Sequence, residues 1–80
     1  METYFIFRAY LYCKAKDTVE YGIFNDIKLA KAAIEKHYPN VEWTDEFEFS
    51  PGIKTIIGDS DSLSKTEQLY IDISIMNKEY

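Results

Sequence analysis

Six carboxylates fall in one stretch of twenty residues: Glu42, Asp45, Glu46, Glu48, Asp59 and Asp61, with Lys54 as the one base among them, for a net charge of −5. Residues 1–41 carry +1 and residues 62–80 carry −1, so this stretch matches the −5 of the whole chain. A field so localised steers a protein toward a basic partner. If the stretch is extended, residues two apart share a face at ~6.6 Å. Glu46 and Glu48 then stand side by side, with Glu42 further along. Each strand of duplex DNA advances ~3.4 Å per phosphate, so a glutamate at every second position spans about two phosphate steps. Such a row can imitate a nucleic-acid backbone and occupy a basic groove. The same charges also serve as solvating guards against edge-to-edge strand pairing.

The other reactive side chains are few. Asp59-Ser60-Asp61 alternates oxygens as hard cations prefer, but a calcium loop needs more ligands and a closing glutamate at a fixed distance. A phosphate cradle is disfavoured by the single glycine and negative charge of that loop. His37, the one histidine, falls near a helix end, where an imidazolium interacts well with the dipole. Cys13 sits on an apolar strand face as a small hydrophobe. The two would act as nucleophile and base only if the fold joined them, and nothing in their setting activates the thiol. Paired carboxylates for glycoside cleavage need a cleft that 80 residues with one helix would struggle to enclose. The chain is therefore read as a non-enzyme without metal or cofactor.

The elements that must position these residues follow from periodicity. Residues 3–15 alternate, with Phe5, Phe7, Ala9, Leu11 and Cys13 on one face and Tyr4, Ile6, Arg8, Tyr10, Tyr12 and Lys14 on the other. Lys16-Asp17-Thr18 reads as a turn and Val19–Phe24 as the second strand of a hairpin. Asn25 is placed to cap a helix, with Phe24 and Leu29 spaced as a hydrophobic staple. Ile27, Ala30, Ala33 or Ile34, and His37 or Tyr38 form its buried stripe, and Pro39 ends it at about Tyr38. Val41, Trp43, Phe47 and Phe49 then alternate with Glu42, Thr44, Glu46 and Glu48. Asp45 falls on the apolar side and predicts a bulge or break. Pro51-Gly52 fits the centre of a type II turn, whose twist suits a two-residue hairpin poorly, so a longer connection is expected. Ile53–Ile57 is a strand and Gly58–Ser64 a polar loop. Leu69, Ile71, Ile73 and Ile75 point inward from a final strand, with Tyr70, Asp72 and Ser74 outward. The prediction is one α+β domain over residues 1–80, in the order ββαβββ, with one helix on a largely antiparallel five-stranded sheet.

Composition bounds the rest. With 46% hydrophobic residues, three glycines and two prolines, the chain is an ordered domain. One cysteine allows no internal disulfide, and no apolar run approaches a membrane span, which predicts a soluble protein of a reducing cytoplasm. Net acidity argues against direct nucleic-acid binding.

The run Glu20-Tyr21-Gly22-Ile23-Phe24, followed by Ala30 and Ile34, resembles the hairpin-then-helix opening of small proteins encoded by phages and mobile elements. The likeness covers roughly residues 3–38. In general character (small, acidic, aromatic-rich) the chain is also similar to phage inhibitors of host defence nucleases, including anti-CRISPR proteins, although no motif is shared. Those families supply no catalytic residues. The resemblance implies an inhibitor that occupies the basic surface of a nuclease or other nucleic-acid-binding protein. Glu42, Asp45, Glu46, Glu48, Asp59 and Asp61 would supply charge, and Trp43, Tyr10 and Tyr12 apolar anchorage. A different reading is a small dimeric ligand-binding module using the tyrosine-rich sheet face, since one helix cannot cover both faces.

Overall fold

Alternation over the first thirteen residues produces the long strand on which the sheet is built. The computed structural model describes the backbone of residues 2–78 and the side chains of 4–48 and 51–75. Strand β1 (Glu2–Cys13) is followed by β2 (Val19–Phe24), helix α1 (Ile27–Glu35), β3 (Glu42–Trp43), β4 (Phe47–Ser50), β5 (Ile53–Asp59) and β6 (Glu67–Lys78). The sheet order is β2-β1-β6-β5-β3, with β4 also paired to β5 and every pairing antiparallel. The α+β class is as expected. The sheet has six strands rather than five because the acidic strand divides in two.

Helix α1 packs on one face, over the half of the sheet built from β1, β2 and β6. Ala9 and Ala30 are both fully buried, and their small side chains let the helix settle close to the strands. Ile34 fills the centre, with Leu11, Ile56, Leu69, Ile71 and Ile73 around it. The cap is Asp26, not Asn25: its carboxylate accepts from the Lys28 amide at 2.8 Å. Adjacent residues of capping type leave that choice to tertiary fit. The shift dissolves the expected staple, and Leu29 is exposed. The helix also ends early, at Glu35, where His37 and Tyr38 both donate to the Ile34 carbonyl in a closing turn.

Nine helical residues span only ~13 Å, against ~40 Å for a twelve-residue strand. Burial falls away beyond the helix accordingly. Along β6, Leu69 and Ile71 are fully buried, whereas Ile75 is 52% exposed; on β1, Phe5 is 50% exposed. The expectation that Ile75 points inward therefore holds for its face but not for its burial.

Three further departures concern the acidic half. Residues 44–46 form the break that Asp45 predicted, and β3 and β4 flank it. Pro51-Gly52 closes a two-residue connection after all, since Ser50 pairs with Ile53 and Gly52 has φ +81°. A register shift between Glu48 and Ser50 leaves Phe49 as an extra residue, and this bulge supplies the twist that the turn lacks. The side chain of Phe49, expected on the apolar side, lies outside the described residues. Strand β5 continues to Asp59, so the polar loop starts at Ser60 rather than Gly58.

Candidate functional site: the helix-free face and its acidic edge

Paired residues of adjacent strands share a face, so the register maps the side of the sheet that α1 leaves open. One row crosses it as Ile23, Arg8, Asp72, Thr55 and Phe47; the next holds Tyr10, Tyr70 and Ile57. Beyond these, Tyr12 lies opposite Gln68 on one side, and Glu42 lies opposite Asp59 on the other. The Gln68 side-chain amide donates to the Gly58 carbonyl at 3.0 Å, tying the two halves of that row together.

The centre of this face is a fixed polar network. The Asp72 carboxylate accepts from the Thr55 hydroxyl at 2.9 Å and from the Tyr10 hydroxyl at 3.2 Å. Arg8 lies 3.9 Å from Asp72, stands 4.3 Å from the Tyr10 ring centre, and grips Glu20 through two donors, one of them Nε at 2.8 Å. Burial, with Asp72 adjacent, pushes the Tyr10 phenol well above its usual range, so it stays a neutral donor. Tyr70 packs between Tyr10 and Tyr12, with ring centres 5.5 and 6.3 Å away. These tyrosines, Thr55 and Asp72 line a shallow depression of about 260 Å³. The aromatic rings are thus held in place by the sheet's own contacts.

The Arg8–Glu20 pair gives a pH signature. The hydrogen bond from Arg8 holds the Glu20 carboxyl below its ordinary range, outweighing the opposing effect of burial. A lowered folded value means the contribution is present above the unfolded pKa and lost as pH falls through the folded one. Both partners are about half exposed, so the loss is under about 1 kcal/mol. In thermal melts from about pH 5 to about pH 3, Glu20→Gln is expected to show a shallower fall in Tm than the parent chain.

The acidic residues divide into two groups. Glu42 and Asp59 are direct cross-strand neighbours on the helix-free face. Asp61 joins them because buried Ser60 donates to the Pro39 carbonyl at 3.0 Å and accepts from the Ser62 amide at 3.3 Å, folding the loop back toward β3. Asn40, in the left-handed region at φ 55°, turns the chain there. Asn40, Glu42, Asp59, Ser60 and Asp61 line a cleft of about 150 Å³. The second group lies across the sheet. Phe47 pairs with Thr55, so the break inverts the alternation and brings Phe47 to the helix-free face, where it is exposed. Glu48 consequently faces Lys54 on the helix side, opposite in sense to Glu42. Asp45 and Glu46 line a trough there with Lys31, Phe5, Phe7 and Ile73. The single row of glutamates that alternation predicted does not form.

Trp43 is likewise on the helix side, its ring against Gly58 and the core, with Lys31 Nζ 5.9 Å from the ring centre. Its buried Nε1 has no hydrogen-bond partner among the described residues. Of the expected anchors, Tyr10 and Tyr12 share a face with Glu42 and Asp59, and Trp43 does not. Sequence reasoning passed over Asp72 and Thr55. The signal available was a carboxylate and a hydroxyl on strands otherwise rich in isoleucine.

Cys13 is buried at the end of β1, and His37 stacks on Tyr21 at 5.0 Å. No hydrogen bond joins Cys13 to His37 among the described residues, nor does any group of three or more His, Cys, Asp or Glu side chains there suit a metal ion. No described helix is long and apolar enough to cross a membrane. Comparison with protein-family models, curated proteins and solved structures finds no match.

Proposed function

We propose that this chain is a protein-interaction module that docks on a basic surface through its helix-free face. One observation carries the reading. Glu42 and Asp59 stand directly opposite each other, beside Asp61 and on the face of the tyrosine cluster, and none of the three takes an ion pair or side-chain hydrogen bond among the described residues. Like charges directly opposite cost ~0.2–1 kcal/mol. Asp72, Glu20, Asp26 and Glu67 accept hydrogen bonds, and other surface carboxylates stand free among the described residues; the Glu42–Asp59 pair is set apart by its direct cross-strand opposition. A cost kept in the free molecule is recovered when Lys or Arg groups of a partner sit over the pair.

The partner class this fits best is a nucleic-acid-binding protein, nucleases included, whose cationic groove the carboxylates would occupy in competition with phosphates. That role, an inhibitor of a host defence nuclease acting by nucleic-acid mimicry, agrees with the likeness in character to phage anti-defence proteins. Exposed charge pairs bring speed more than affinity, so the tyrosines supply the apolar contact. Neutralising the pair separates this role from a structural one. Glu42→Gln with Asp59→Asn is expected to raise Tm by roughly 2–5 °C, by relief of repulsion, while weakening retention of a basic partner. A variant that loses stability, or retains the partner as well as the parent chain does, would remove the basis for the proposal.

A further inference from the structure

We propose that two copies of this chain join edge to edge through β2, antiparallel about a two-fold axis, independently of the acidic surface. β2 ends the sheet order, and no backbone hydrogen bond reaches its outer side among the described residues. An open edge is a template for another strand, and proteins that leave one unpaired usually blunt it. The opposite edge is blunted thoroughly: β3 has two residues, β4 is bulged, Pro51 follows, and carboxylates flank it. β2 carries no proline and no lysine, and its single charge, Glu20, is neutralised by Arg8, so its one guard is the bulge at Tyr21, beside Gly22 at φ +131°.

Apolar groups gather along the same edge. Ile23 is 68% and Val19 45% exposed. Helix α1 adds Leu29, which is 52% exposed. At ~100° per residue, Leu29 lies ~160° round the helix from Lys31, and Lys31 marks the flank over Trp43. Leu29 and, one turn on, Ala33 therefore face the β2 side, where His37 already stacks on Tyr21. Ile23 thus flanks the β2 edge on the helix-free face, opposite Arg8, while Val19, opposite Leu11, flanks it on the helix side with Leu29 and Ala33.

Charge selects the occupant. Excess negative charge lies on the far β3–β4 edge, so a basic chain is drawn there and not to β2. Two copies meeting at β2 keep their acidic edges at opposite ends of a twelve-stranded sheet, and an isologous contact closes after two. The bulge between β1 and β2 shortens the run that can pair. Association is accordingly of the micromolar class rather than the nanomolar.

Sedimentation equilibrium of the full chain from about 10 μM to about 1 mM should show the mass rising from 9.4 kDa toward twice that and levelling off. Val19→Lys with Ile23→Lys, both at exposed positions, should weaken association at least tenfold with the far-UV spectrum unchanged. Hydrogen exchange on the parent chain, which does not depend on the variant folding, should show concentration-dependent protection of amides 19–24. Glu42→Gln with Asp59→Asn should leave association as it is. A mass constant at 9.4 kDa, undiminished association in the lysine variant, growth past the dimer, or protection confined to β5 and β6 would overturn the proposal.

Discussion

Truncating Ile34 to alanine is expected to cost ~2–5 kcal/mol, the range for emptying a fully buried aliphatic site. Ile34 is the larger of the two buried helical side chains and has no exposed surface. Its cavity would open where α1 meets β1 and β6, and a nine-residue helix cannot hold its shape without that contact. A domain of 80 residues has ~4–12 kcal/mol in total, so about half of it would go. Urea denaturation should show a midpoint lowered with little change in slope. In thermal melts Tm should fall by roughly 15 °C. A loss below about 1 kcal/mol would mean that the helix packs on the sheet more loosely than its burial indicates.

Gly58→Ala should be nearly as damaging and should strike the candidate site directly. A Cβ at Gly58 would stand 2.7 Å from Trp43 Cζ3, 2.9 Å from Val41 Cγ1 and 3.0 Å from Trp43 Cε3. Real contacts are not that close, so the indole must move. Trp43 lies in a two-residue strand held by few bonds, among them Thr44 N to the Ile57 carbonyl at 2.9 Å and Ile57 N to Thr44 Oγ1 at 3.0 Å. Moving the ring therefore moves Glu42, which precedes it and faces Asp59. The expected cost is ~1–3 kcal/mol, as for other overpacked sites, together with weakened partner retention while the protein remains folded. Denaturant titration alongside a retention assay reads both effects. Full stability with full retention would show that β3 yields freely and that its position does not set the acidic pair.

How much of this was legible from the residues depended on which faces are buried. β1, β2 and β6 each hold one face against the core or its rim, so period-two patterning identified all three: Val19–Phe24 at its observed bounds, β1 past its end at Cys13, and β6 short of both Glu67 and Lys78. Asp45 flagged the break because a carboxylate on an apolar face has no partner there. The side on which the chain resumed was not legible, since it depends on the conformation of residues 44–46 and not on their hydrophobicity. That inversion separates Glu48 from Glu42 and turns Trp43 away from the tyrosines. The strand order was equally hidden. β1 pairs with β6 through contacts more than fifty residues apart in sequence, of which local propensity holds no trace. Only that pairing, with β5 beside β6, brings Tyr10 and Tyr12 onto one surface with Asp59. The acidic stretch thus remains the main pointer to function, but three of its six carboxylates, not all six, share an end of the sheet with the tyrosines.

The most direct measurement is binding of a partner captured from the native host, titrated over a range of salt and in competition with duplex DNA, for the parent chain and for Glu42→Lys with Asp59→Lys. The expected result is a basic partner that the duplex displaces and whose affinity falls steeply with salt and drops at least tenfold on charge reversal. Affinity that is indifferent to salt, unaffected by the duplex and equal in the two chains would contradict it.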